Sequence, residues 1–222
     1  MGELTARGLA TRARVVAAAR DVFADRGFAA TRMGDIAEAA GVAHGTVYTY
    51  FDSKEDVLLG VLDHVRTDLQ AAMGVAVTRS PHAGVEAANR AYLEAHRRNA
   101  LMLRAAEEAS SRDERFANLL LDLWRTHVAR VAVVIRKFQA DGVASPDLDP
   151  NAAAAALCGM AEGFASHWAD RGERLHGRGE AADEVLAIRT LTQLWVRGLG
   201  IPEPDAPTRA WAAGADRRNA AS

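Results

Sequence analysis

The sequence predicts an all-α protein, on three observations. The six prolines stand at 81, 146, 150, 202, 204 and 207, which leaves long proline-free stretches, and proline is the residue that breaks helix interiors. Alanine, the best helix former, occurs 48 times in 222 residues. No segment shows the sustained alternation of β-branched residues that marks strands, and no repeat of solenoid period is present.

Composition bounds the function classes. Hydrophobic residues make up 49% and charged residues 25%, the balance of an ordinary globular chain. The length allows one domain or two small ones with a core that needs no staples. A single cysteine, Cys158, excludes a disulfide framework and a cysteine metal cage. The start, Met1-Gly2-Glu3-Leu4-Thr5-Ala6-Arg7, has no apolar signal-type core, and no run reaches membrane-spanning length. A cytoplasmic protein without membrane partners is expected. Net charge is −2, so nucleic acid meets no general attraction and any DNA contact must come from a local surface.

Four helices are expected before Pro81. The first follows Thr11 as N-cap, carries Val15, Val16, Ala19, Val22 and Phe23 at helical spacing, and ends at Arg26-Gly27. The second is capped by Thr31, buries Met33, Ile36, Ala37 and Ala40 on one face, and stops at Gly41. The third, short, runs about 44–51 with Val47 and Tyr50 inward. Ser53-Lys54-Glu55-Asp56 reads as a capping-box variant, with Ser53 capping and Asp56 at N3. It opens a long amphipathic helix through Val57, Leu58, Val61, Leu62, Val65 and Leu69. After Pro81, helices are expected at about 82–98, 100–110, 113–141, 150–171 and 181–199. Asp141-Gly142 closes the third of these, and Asp149-Pro150 opens the fourth as N-cap and N1. The tail over 202–222, rich in Pro, Ala and charge, is expected to be disordered.

The junction Asp35-Ile36-Ala37-Glu38-Ala39-Ala40-Gly41-Val42-Ala43-His44-Gly45-Thr46-Val47-Tyr48 has the pattern of a helix-turn-helix, placed at about 33–52. Two steeply crossing helices need a small side chain at closest approach, here Ala37, and a turn residue tolerant of positive φ, here Gly41. Ile36, Ala40, Val42, Val47 and Tyr50 close an apolar wedge that turns the second helix outward, where its first turn fits a major groove.

The run VVAAARDVFADRGFAATRMGDIAEAAGVAHGTVYTYFDSKEDVLLGVL, Val15 to Leu62, strongly resembles the TetR family. The resemblance implies an all-helical, homodimeric transcription regulator, usually a repressor released from a palindromic double-stranded operator by a small ligand. By position it places Thr31 and Lys54 at phosphate contacts and His44, Gly45, Thr46, Tyr48, Thr49 and Tyr50 on the recognition helix. Their chemistry suits that role. Gly45 lets the backbone approach DNA, and Thr46 offers a methyl to thymine and a hydroxyl to phosphate or base. Tyr48 suits a phosphate or a place against the first helix. Tyr50 fits the core side, and His44 reaches a base edge, a phosphate or only solvent. Ala43 stands where the family usually caps with Ser or Thr, which removes ~1 kcal/mol of capping, and Gly34 weakens the second helix. Residues 1–60 hold seven basic and eight acidic side chains, but the first twenty are net +3 through Arg7, Arg12, Arg14 and Arg20 against Glu3. That arm suits phosphate or minor groove, or is simply a frayed terminus.

A DNA-binding domain is therefore placed at 8–68 and a helical ligand-binding and dimerisation domain at 69–201. The resemblance implies a cavity for an apolar or amphipathic molecule. Tyr92, His96, Met102, Trp124, His127, Phe164, His167 and Trp168 are candidate lining, although aromatic and Met positions at helical spacing also read as core. Leu157, Phe164, Ile188, Leu191 and Trp195 are candidate dimer contacts in an intermolecular four-helix bundle, or each helix packs on its own chain. No cofactor or metal is expected, and no catalysis. Of the Glu-x-x-His pairs that a di-metal bundle oxidase needs, only Glu173-Arg174-Leu175-His176 occurs, and no P-loop, nucleotide fingerprint or nucleophile elbow appears. The other reading kept open is a helical small-molecule-binding protein with weak or lost DNA binding.

Overall fold

The structure, a computed structural model, describes residues 5–72, 80–171 and 180–202, leaving out the side chains of 168–171 and 180–182. The expected tail over 203–222, the Glu173–His176 pair and the Trp168 side chain lie outside the described residues. The fold is all-α, and no strand occurs among the described residues. The helices are α1 Ala6–Arg26, α2 Met33–Ala39, α3 His44–Tyr48, α4 Lys54–Ala72, α5 Pro81–Ser110, α6 Glu114–Ala140, α7 Pro150–Arg171 and α8 Glu180–Gly198.

Three expected boundaries are corrected. Helix α1 starts at Ala6, six residues earlier than expected, because Thr5 caps it: its extended backbone and its Oγ1, which accepts from the Gly8 amide at 3.2 Å, satisfy an orphan donor. Thr11 instead lies inside the helix and donates its hydroxyl to the Arg7 carbonyl at 3.0 Å. Helix α2 is capped not by Thr31 but by Arg32, whose amide donates to Asp35 Oδ2 at 2.8 Å; Thr31 turns inward and donates to the Gly27 carbonyl at 2.8 Å. The expected helices at 82–98 and 100–110 are one. Asn99 does not break it, because its amide donates to the Ala95 carbonyl at 2.8 Å and to Asp68 at 2.7 Å, leaving no competition with the backbone ladder.

Other ends follow the sequence. Gly27 closes α1 at φ 78°, a conformation that a side chain would strain. Ser53 accepts from the Asp56 amide at 3.2 Å ahead of α4. Asp149 Oδ1 accepts from the amides of Asn151 and Ala152 at 3.0 and 2.8 Å at the start of α7.

The chain divides into two compact units, Met1–Ala71 with Ala95–Arg125, and Ala72–Glu94 with Thr126–Ser222. In the first, Val15, Ala19 and Phe23 of α1, Ile36 of α2, Val47 of α3 and Val57, Leu58, Leu62 and Val65 of α4 are buried, together with Met102, Ala106 and Phe116. Each large apolar side chain withdrawn from water this way contributes ~1.5–3 kcal/mol. In the second, α7 turns inward the small residues Ala154, Cys158, Ala161 and Ala165, one helical face of minimal bulk. Ile188, Leu191, Trp195 and Val196 of α8, and Leu199 just beyond it, are buried as well. Gln139 braces the α6–α7 loop by donating to the carbonyls of Ser145 and Leu148 at 2.8 and 2.9 Å.

Candidate nucleic-acid interface

Helices α2 and α3 are joined by four residues, Ala40 to Val42 and the cap Ala43. The Gly41 amide reaches the Glu38 carbonyl and the Val42 amide the Ala37 carbonyl, both at 3.0 Å, with Gly41 at φ 62°. Only a residue without a side chain takes that conformation without strain. Ile36, Ala37, Ala40 and Val47 are buried, while Val42 and Tyr50 are half-buried. The wedge closes with Phe51, which is buried one residue beyond Tyr50. Ala43 caps α3 by backbone alone, in extended conformation with no side-chain bond.

This packing pushes one face of α3 outward. His44, Gly45, Tyr48 and Thr49 are exposed and Thr46 is half-buried. Tyr48, one helical turn after His44, meets that ring edge-on with centroids 5.2 Å apart, and is 46% exposed despite its large apolar area. Thr49 donates to the Gly45 carbonyl at 3.3 Å. A methyl group at Gly45 would meet nothing within 4 Å. The fold itself therefore does not require glycine there, although glycine in a helix costs about 1 kcal/mol relative to alanine.

The two residues matched to phosphate contacts are held within the chain. Thr31 is buried. The Lys54 ammonium donates to the carbonyls of Phe28, Ala29 and Thr31 at 3.0, 3.2 and 3.3 Å and lies 4.7 Å from the Phe28 ring centroid. Lys54 thus fixes the segment that leads from α1 into α2. The expected basic arm is similarly occupied in part. Arg12 stacks over Phe51 at 5.0 Å and Arg20 donates to Asn99 at 3.1 Å, whereas Arg7 and Arg14 are exposed.

Several polar residues that brace this unit have no counterpart in the sequence reading. Asp68 accepts from Asn99 at 2.7 Å and Arg98 at 3.0 Å, and those bonds hold its carboxyl below the ordinary range. Arg115 binds both Asp56 and Asp113. Burial pushes the Asp56 carboxyl up, but the bonds from Arg115 and Ser53 outweigh it and leave it below the usual value. Apart from the local Asp113–Arg115 and Ser53–Asp56 bonds, these partners lie 30 to 79 residues apart, and no local pattern announces such pairs. Gly60 was also missed, although a lone glycine inside an amphipathic helix is a readable signal of close approach. A methyl there would sit 3.2 Å from Val16 and 3.3 Å from Phe51.

The candidate ligand residues are divided between the two units. In the second unit Tyr92 and His127 stack with centroids 4.8 Å apart. They line a cavity of about 20 Å³ with Ala72, Ala88, Asn89, Val131, Ala161 and Trp195, room for about one water. Burial, with Arg130 adding repulsion, pushes the His127 imidazole down to about 4, so it is neutral near pH 7. His96, Met102 and Trp124 belong to the other unit. Phe164 is half-buried, and His167 is exposed with Nδ1 2.8 Å from the Gly163 carbonyl. Of the candidate dimer contacts, Ile188, Leu191 and Trp195 are buried in the single chain, while Leu157 and Phe164 are half-buried. The apolar groups that α8 leaves exposed are Val185 and Leu194.

Residues 15–61, which hold the helix-turn-helix and Lys54, match the family model of bacterial regulatory proteins of the tetR family. Over those residues the chain resembles the DNA-binding domain of the TetR family. A 57-residue match, 46% identical, is to the HTH-type transcriptional repressor Rv3405c of Mycobacterium tuberculosis; it covers 26% of this chain and 30% of the relative. A longer match, 28% identical over 193 residues, covers 83% of this chain and 85% of the HTH-type transcriptional regulator EthR of the same organism. Among solved structures, a TetR-family regulator from Mesorhizobium loti superposes with a TM-score of 0.73 at 18% identity, over 87% of this chain and 98% of that one. That likeness establishes the TetR fold. Among the described residues no helix is long and apolar enough to cross a membrane.

Proposed function

We propose that this protein is a sequence-specific DNA-binding repressor of the TetR family that reads a palindromic duplex as a homodimer. The observation that carries the reading is the outward face of α3. Buried Val47 and Ile36 fix the helix, and His44, Gly45, Tyr48 and Thr49 stand exposed on it. Gly45 is the informative member, because the helix bears its propensity penalty with no internal packing to justify it. A bare backbone there suits close approach to a base edge, with Thr46 and Tyr48 beside it for thymine methyl and phosphate. Lys54 and Thr31 serve by holding the segment that aims the pair. The curated relative Rv3405c carries the name repressor, which favours repression over activation.

The second part of the proposal is release by a small neutral apolar or amphipathic ligand in the Ala72–Glu94 and Thr126–Ser222 unit, at the Tyr92–His127 stack. Neutral His127 and the apolar lining there disfavour a charged group. A ligand need prefer the released state by only ~1–3 kcal/mol to act as a switch. The test of function is capture of sheared genomic DNA by the purified protein, followed by sequencing. Enrichment of a few inverted-repeat sites supports the reading, and uniform recovery of fragments refutes it.

A further inference from the structure

The first turn of α4 joins two sets of polar bonds within one unit. On one side, Lys54 holds the carbonyls of Phe28, Ala29 and Thr31. That segment runs straight into the Arg32–Asp35 cap of α2, where Asp35 also accepts from Arg26 at 2.8 Å. On the other side, Ser53 donates to Asp56 Oδ2 at 2.8 Å, and Arg115 Nη1 donates to Asp56 Oδ1 at 2.5 Å. The same guanidinium grips Asp113, with Nε 3.0 Å from Oδ2 and 3.1 Å from Oδ1 and with Nη2 2.7 Å from Oδ2. Asp113 is itself pinned as the residue ahead of α6, accepting from the Arg115 amide at 2.9 Å. Charge-assisted bonds, joined through the backbone at Ser53–Lys54 and at Thr31–Arg32, thus run from the first turn of α6, through the start of α4, to the first turn of α2.

We propose that Arg115 is a positioning residue for DNA reading: from the start of α6 it sets the pitch of α4's first turn and so the aim of α2 and α3. This rests on the reading of α3 as the DNA-contacting helix. A lone surface ion pair contributes little, but a forked guanidinium shared between two carboxylates is the geometry in which such pairs hold an orientation. Arg115 itself is about half exposed, and the packed core beneath is apolar. Its loss therefore frees an angle rather than unfolding the unit. Arg115 acts on DNA only through Asp56 and has no part in reading phosphate.

The test uses the full chain and a duplex selected by the wild type from a random-sequence library. Arg115→Ala weakens binding to that duplex by roughly five- to a hundredfold, the usual range of a coupling between sites, with the slope of log affinity against log salt unchanged. Asp56→Asn gives a similar loss, the double variant loses little more than either single one, and Arg115→Lys retains an intermediate affinity. In the free protein, amide exchange over residues 28–49 quickens in Arg115→Ala. Unchanged affinity and exchange overturn the proposal. So does a salt slope reduced by about one, which would mark Arg115 as a phosphate contact. If no duplex is ever selected, the DNA reading fails, and the exchange comparison still decides the positioning role. If Arg115→Ala does not fold, Asp56→Asn and Arg115→Lys decide it.

Discussion

Gly60 on α4 packs closely against Val16 of α1 and Phe51 of the α3–α4 loop, and Gly60→Ala measures how tightly they are fitted. An added methyl would stand 3.2 Å from Val16 Cγ2, 3.3 Å from Phe51 Cε1 and 3.6 Å from the Arg12 guanidinium. Carbon atoms prefer about 3.5–4.0 Å, so two neighbours must each give a few tenths of an ångström. Both are buried, at 4% exposure, and Phe51 is further pinned under Arg12. Overpacking of this kind costs about 1–3 kcal/mol, against a helix-propensity gain of about 1 kcal/mol. The expected net loss is ~1 kcal/mol, or a Tm lower by about 2–4 °C for a chain of this size. Thermal and urea unfolding followed by circular dichroism measure it, and Gly60→Val should lose several-fold more. Because the Phe51 amide bonds to the Val47 carbonyl of α3 at 3.0 Å, affinity for a selected duplex should fall as well. A Gly60→Ala protein stabilised by the full propensity gain would refute the packing argument.

Three further outcomes follow from particular residues. Gly45→Gln should leave stability unchanged or raised, since nothing lies within 4 Å of the site, yet weaken duplex binding at least tenfold, about 1.4 kcal/mol; equal loss in both would mean a structural role. His127 has its folded value pushed down to about 4, below the unfolded value of about 6.5. The unfolded chain therefore takes up the proton first as pH falls. Stability from the neutral imidazole is complete above pH 6.5 and is lost towards pH 4, by up to about 3 kcal/mol. Urea unfolding of wild type and His127→Gln across pH 7 to 4 should show that difference shrinking, and a constant difference would contradict the buried neutral state. Trp195→Asp should unfold the second unit rather than yield a folded monomer, because Trp195 is 6% exposed, whereas Leu194→Asp, at an exposed site, should leave Tm within about 2 °C. Sedimentation and circular dichroism together separate those results.

Much of the fold and of the interface was legible because it rests on local physics. Gly41, Ala37, Ile36 and Val47 announce the helix-turn-helix through spacing alone, and Ser53 and Asp149 announce their caps. What escaped was non-local or competitive. Thr5 and Thr11 are equally good caps by type, and only the depth to which α1 extends decides between them. Asn99 reads as a helix breaker until Asp68, 31 residues away, takes up its amide. Thr31 and Lys54 carry groups suited to phosphate, but the carbonyls of residues 27–31 reach them first. On α8 the stripe of Ile188, Leu191 and Trp195 has the period of an interface and of a core alike, and spacing alone does not show that it is buried in the single chain.

The central claim is that the outward face of α3 reads base sequence. The most direct measurement is competition between a duplex selected from a random library and a scrambled duplex of the same composition, titrated with salt, for the wild type and for His44→Ala with Tyr48→Ala. The account predicts that the wild type prefers the selected duplex by 10³-fold or more, and that affinity falls by roughly 10³ or more over a fourfold rise in salt if about six phosphates are neutralised. The variant should retain weak, salt-dependent binding while losing most of the preference. Equal affinity of the wild type for both duplexes, or a preference left intact without His44 and Tyr48, would contradict it.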